Sequence, residues 1–104
     1  MFLRDGAGRM SKLTKSARNQ ECTVRVTGIC SFDRSTTVLA HLNGGGMGMK
    51  ALDIHGAFAC HTCHKWLDSG WVKTHSRMDR DLYHLQGMVR TQTIWVNEGL
   101  IKYD

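Results

Sequence analysis

Proline is absent from this chain, so its loops carry no residue of fixed φ and no helix is broken by one. Long apolar runs are absent too. None approaches the roughly 18 residues that a membrane-spanning helix needs, which argues against a membrane role. The opening residues Met1-Phe2-Leu3-Arg4-Asp5-Gly6 lack the apolar stretch of a secretory leader, which points to a cytoplasmic protein. Acidic residues are scarce at the start: residues 1–26 carry Arg4, Arg9, Lys12, Lys15, Arg18 and Arg25 against Asp5 and Glu21, a net of +4 out of +5 for the whole chain. Such a basic segment either attracts nucleic-acid phosphates through counterion release or simply keeps the protein soluble. Cysteines number only four. Without a leader they read as metal ligands or free thiols before disulfides.

What is present fits one small domain. A chain of 104 residues buries roughly 65% of its unfolded surface. Its 41% hydrophobic and 22% charged content are ordinary globular values. Eleven glycines leave the loops loose, so a metal staple would add much to a thin core.

Residues 1–20 lack sustained periodicity and read as a flexible basic arm, with 21–104 as the folded domain. Met10-Ser11-Lys12 is a second plausible start, which would make residues 1–9 an extension. Cys22-Thr23-Val24-Arg25-Val26 alternates β-branched residues and predicts a strand. Thr36 to Leu42 predicts a second strand ending near His41. Asn43 to Met49 holds four glycines in seven residues, a connector or a lid; its Gly-Lys spacing does not make a P-loop. Asp53 is placed to cap a helix running through Cys60 and Cys63 to about Ser69. Ser76 and Asp79 have capping-box spacing for a long helix that Gly99 ends. Met78, Leu82, Leu85, Val89 and Val96 recur along one face of it, which predicts the core face, with Arg77, Arg80 and Arg90 on a solvated face. Leu100 to Tyr103 reads as a last strand. His61, His75 and His84 read as surface or helix residues.

The chemistry gathers in the cysteines and histidines. Cys22-x7-Cys30 and Cys60-x2-Cys63 supply four soft thiolates, the number a closed structural Zn²⁺ site takes. The second spacing is specific; the first needs a turn to converge, and buried free thiols or one disulfide are the alternatives. Cys60-His61-Thr62-Cys63-His64 also has the haem-attachment spacing, but that chemistry belongs to exported proteins, so no haem is expected.

Taken together, a cysteine pair, a strand ending in His41, a Gly-rich loop and then Cys60-x2-Cys63-His64 resemble the ββα-metal arrangement of HNH nucleases. Lys15-Ser16-Ala17-Arg18, Cys22-Thr23-Val24-Arg25, Thr37-Val38-Leu39-Ala40-His41, Gly87-Met88-Val89-Arg90-Thr91-Gln92 and Ile94-Trp95 resemble more narrowly the YbcO-type nucleases of lambdoid prophages, over roughly residues 15–102. The resemblance implies an α+β fold, a small zinc-stapled ββα-metal core with a long C-terminal helix, encoded by a phage or prophage and acting on DNA in the host cytoplasm. It implies His41 as general base, Cys22, Cys30, Cys60 and Cys63 as structural zinc ligands, and His64 as ligand of a catalytic Mg²⁺ or Mn²⁺. A neutral imidazole beside an anionic diester suits the first role.

The pattern departs from the family in one place that matters. HNH enzymes usually carry an acidic metal ligand directly before the base, where this chain has Ala40. Asp53 is the candidate replacement, as a hard oxygen donor or as a mere helix cap; Asn43 is a weaker stand-in. The expected function is a metal-dependent DNA endonuclease in phage DNA processing or recombination, with Lys12, Lys15, Arg18 and Arg25 on the nucleic acid. The alternative is a zinc-stapled DNA-binding accessory protein without catalysis. Substrate structure and oligomeric state stay open.

Overall fold

The computed structural model describes residues 11–41 and 52–103; the glycine-rich loop, Asn43 and residues 1–10 lie outside them. The order is helix α1 (Lys12–Ser16), strand β1 (Val38–Ala40), strand β2 (Ala57–Ala59), helix α2 (His61–Asp68) and helix α3 (Arg77–Asn97), with short 3₁₀ turns at Arg34–Thr36, Asp53–His55 and Gly70–Lys73. This is a small α+β fold. The two strands pair antiparallel, with Val38 opposite Ala59, Leu39 opposite Phe58 and Ala40 opposite Ala57.

Strand alternation divides the interior into two layers. Ala40, Ala57 and Ala59 face one cluster with Val24, Val26, Trp66, Leu67 and the cysteines. Leu39 and Phe58 face the other with Ala17 and Trp95, where the Phe58 and Trp95 rings meet edge to face at 5.8 Å. Alanines on the first side let the backbone lie close to the sulfurs.

The predicted strand over Cys22–Val26 does not form. Val24 and Val26 are fully buried, but Arg25 between them has φ 53° and Gly28 has φ 81°, left-handed values that turn the chain. The valines alternate because they flank the sulfur cluster, not because they pair in a sheet. The partner of β1 is instead Ala57–Ala59. The helix expected from Asp53 is likewise broken: Asp53–His55 is one 3₁₀ turn, β2 follows, and α2 starts at His61 with Cys60 as its N-cap residue. Leu100 to Tyr103 adds no strand; the Leu100 amide folds back onto the Trp95 carbonyl.

Residues 11–20 are not a flexible arm either. Ser11 caps α1 by accepting from the Thr14 amide, Ala17 is buried, and Trp95 donates its indole N–H to the Ser16 hydroxyl at 2.7 Å. That buried indole needs an acceptor, which anchors the segment.

Helix α3 keeps its predicted bounds, with both bonds of the Ser76–Asp79 capping box present. Its buried face is not the predicted one. His84, Gly87, Thr91 and Trp95 face inward, whereas Met78, Leu82, Leu85 and Val89 are exposed. Two of the arginines are engaged: Arg80 lies over the Trp71 ring and Arg90 donates to the Thr23 carbonyl at 2.7 Å. Gly87 is where α3 meets the sheet, since a Cβ there would lie 2.9 Å from Val24 and 3.0 Å from Ala57. Gly87→Ala should therefore cost about 1–3 kcal/mol through overpacking, despite alanine's higher helix propensity. Denaturant unfolding checks this; an unchanged or raised midpoint would show that α3 can shift to make room.

Candidate metal centre and the His41–Asp53 pair

Cys60 sits at the end of β2 and Cys63 one turn into α2, so two intervening residues aim both sulfurs the same way. Cys22 and Cys30 come from the irregular segment that Val24 and Val26 bury. There the Ile29 and Cys30 amides both donate to the Val26 carbonyl, a turn that folds the seven-residue spacing back on itself. The four sulfurs lie within 4.8 Å of one another. Cys30 and Cys60 are 3.7 Å apart, close to the about 3.8 Å that tetrahedral geometry with 2.3 Å Zn–S bonds requires. All four cysteines are free of disulfides.

Their protonation tells the same story. The Cys63 thiol bonds to Cys22, which draws the Cys22 thiol far down and pushes Cys63 up. Burial raises Cys30 to about 11. Burial also acts upward on Cys60, but bonds from Ser31 and Thr62 outweigh it and bring the thiol to about 7. Without a cation Cys30 and Cys63 keep their protons, because burial and the neighbouring Cys22 sulfur disfavour further thiolates. The donor set, its spacing and its burial fit a metal ion such as zinc.

The second constellation lies at the end of β1. His41 Nε2 is 2.7 Å from Asp53 Oδ1, and both side chains are about one-third exposed (31% and 33%). The other Asp53 oxygen accepts from the Ser11 hydroxyl, so the capping residue of α1 also fixes the carboxylate. Burial would raise the Asp53 carboxyl, but the bonds from Ser11 and His41 outweigh it and hold it below its usual range. An ionised Asp53 requires the N–H on His41 Nε2; in the neutral ring that tautomer makes Nδ1 the acceptor. Asp53 caps no helix; its carboxylate belongs to the histidine.

Two contacts hold the Asp53 turn from the far side. His84 Nε2 donates to the His55 carbonyl at 2.9 Å, and Gln92 donates to the Ile54 carbonyl. Burial lowers the His84 pKa, so the ring is neutral and keeps that donor. His84, read from sequence as a surface or helix residue, lies on helix α3 and is buried there. Ser11, His84 and Gln92 were missed as supports of the site. Only Ser11 had a sequence signal, as a helix cap.

His64 stands in the first turn of α2, and its ring faces Asp68 at 3.7 Å. Among the described residues, the four cysteines are the group of three or more ligating side chains that converge; His41, Asp53 and His64 do not make a second one. Lys12 and Lys15 are exposed on α1, beside the Ser11–Asp53 link, and Arg25 is tethered to the Cys22 carbonyl and loosely to Glu21. Arg18 is also exposed. No helix among the described residues is long and apolar enough to cross a membrane.

The family described as "Putative nuclease YbcO" matches residues 11–100. The chain belongs to this family. Relatives of the same description from Escherichia coli strain K12 and from Enterobacteria phage 82 are each 38% identical over 103 residues, covering 89% of this chain and 99% of theirs. A solved structure, described as a "putative bacteriophage protein" from Escherichia coli K-12, is also 38% identical, with a TM-score of 0.69 over 84% of this chain and 99% of that one. The run Gly87-Met88-Val89-Arg90-Thr91-Gln92 has a structural meaning: four of its members seat α3 on Val24, Thr23, Phe58 and Ile54.

Zinc binding by such small domains is worth about 10–16 kcal/mol apparent, more than a core of this size supplies. A strong chelator should therefore abolish most of the helical circular dichroism, and one equivalent of Zn²⁺ should restore it. Cys63→Ser should behave like chelated protein. Unchanged spectra after metal removal would mean that the cysteines are ordinary core residues.

Proposed function

We propose that this protein is a DNA endonuclease that hydrolyses phosphodiester bonds with His41 as general base. The observation that carries the reading is the His41–Asp53 contact. It supplies a carboxylate to the histidine from position 53 where the neighbouring position, Ala40, has none. The order β1, β2, α2, with Cys60 and Cys63 at the β2–α2 junction, supports the HNH-like ββα-metal reading. The family's nuclease description points the same way.

In this mechanism Asp53 holds the imidazole in the Nε2–H tautomer and stabilises the imidazolium formed when Nδ1 takes a proton from the attacking water. Lys12, Lys15, Arg18 and Arg25 hold the DNA backbone. Phosphate contacts of this kind fix register without reading sequence. Zinc on Cys22, Cys30, Cys60 and Cys63 is structural. A Mg²⁺ or Mn²⁺ ion, when bound, would supply charge neutralisation at the phosphorus and the leaving oxygen; His64 and Asp53 are the residues to hold it. Mg²⁺ commonly uses one or two protein carboxylates and completes its shell with water and substrate phosphate, so a preformed protein cage is not required. The phage 82 relative favours a phage or prophage setting, in DNA processing inside the host cell.

A second reading, a zinc-stapled DNA-binding accessory protein without catalysis, is favoured by Ala40 and by the pairing of His64 with Asp68. Plasmid nicking with Mg²⁺ or Mn²⁺ separates the two. His41→Ala should lower nicking by about 10²–10⁴-fold, and Asp53→Asn should follow it, with DNA retention in gel shifts unchanged. Equal nicking by native and His41→Ala protein would remove His41 from the chemistry. Retention of DNA without any nicking by zinc-loaded native protein would establish the accessory role.

A further inference from the structure

We infer that the exposed apolar stripe of α3 is a self-complementary seam on which a second copy of this chain docks in antiparallel fashion. Met78, Leu82, Leu85 and Val89 are 78%, 53%, 49% and 54% exposed, an unusual cost for large apolar side chains on so small a protein. Their spacing, continued through Gln92 and the partly buried Val96, alternates four and three residues from Met78 to Val96. That is the a/d pattern of a coiled-coil seam, sustained for about 27 Å at the helical rise. The inward face of α3 is occupied by His84, Gly87, Thr91 and Trp95, so the seam lies on a separate side of the helix.

The identity of the occupant follows from the register. The seam is palindromic about Gly87: in an antiparallel pair Met78 meets Val96, Leu82 meets Gln92 and Leu85 meets Val89, each contact made twice. The surface already has the matching relief. A shallow cleft of about 460 Å³ includes Val89, Gln92, Thr93 and Val96 in its lining. This set is spaced i, i+3, i+4, i+7, the four residues that form a hole for a knob of a facing helix. In this register Leu82 of the second copy enters this cleft. Gln92 already donates to Ile54, so its amide is satisfied and its stem can face the knob. No charge lies on the seam, and the flanking Asp79 and Asp81 fall opposite Trp95 and Thr93 of the copy, so no like charges meet.

A helix pair of this length lies near the lower end of specific interfaces, about 1,200 Å² in total, and its association should be concentration-dependent, with dissociation on the order of micromolar. Sedimentation equilibrium of the zinc-loaded full chain should show the mass rising from one chain to two across that range. Leu85→Glu and Val89→Lys change exposed positions, so each should fold normally by circular dichroism yet remain monomeric. Mixing the two variants should restore association, because one layer then pairs Glu with Lys and the other stays Leu with Val. A native protein monomeric at every concentration, a Leu85→Glu variant that still dimerises, or a mixture that stays monomeric would each overturn the proposal. None of these outcomes depends on nuclease activity.

Discussion

Four sulfurs within 4.8 Å of one another set the terms for the rest of this structure. Four thiolates at that distance are stable only around a cation; as thiols they are a weak hydrophobic cluster. Two of them belong to a segment without regular secondary structure, so helix or sheet propensity cannot bring them in. The same segment holds the buried Val24 and Val26, which complete the layer under β2. An ion joining the cysteines would thereby decide whether that layer exists, and coupling of metal to folding is the expected behaviour of so small a core.

A second constraint joins this layer to α3. The Phe58 carbonyl accepts from the Thr23 amide at 2.8 Å and from the Thr23 hydroxyl at 3.0 Å, while its amide donates to the Thr91 hydroxyl; the two threonine hydroxyls are 2.8 Å apart. In a two-stranded sheet one edge of β2 would otherwise bury unpaired main-chain groups, each costing about 1–3 kcal/mol. Two threonines satisfy them in place of a third strand. Gly87 allows the close approach, and Gln92 and His84 reach past β2 to the carbonyls of the Asp53 turn. A continuous line of contacts therefore runs from the cysteine segment through α3 to the carboxylate beside His41. The cysteine cluster and the candidate site are thus held by the same helix.

The legible parts of this fold were those with local causes. The α3 bounds followed from the Ser76–Asp79 box and Gly99, and the cysteine cluster from the two-residue spacing of Cys60 and Cys63. Strands of three residues are too short to show a period, so Ala57–Ala59 passed for helix and the valines around Arg25 passed for strand. The buried face of α3 was illegible for a different reason. It is made of His84, Gly87, Thr91 and Trp95, which pack on main chain and therefore need small or hydrogen-bonding side chains, while the apolar period belongs to the solvent side. Periodicity reports that a face seeks a partner; it does not say whether that partner is in the same chain. The His41–Asp53 contact joins residues separated by the glycine-rich loop, which no local pattern could reveal.

The acid missing before His41 is explained by where position 40 points. Ala40 is 1% exposed, opposite Ala57 and in the cluster that contains the cysteines. A carboxylate there would be stripped of water at a cost of several kcal/mol and would repel the sulfur ligands. Position 53 avoids both penalties: it lies on a turn, keeps a third of its side-chain surface in solvent, and gains bonds from Ser11 and His41 that keep it ionised. In this fold an acid near the histidine fits at position 53 and not at position 40. The alanine follows from packing β1 tightly against Ala57 and the cysteine cluster.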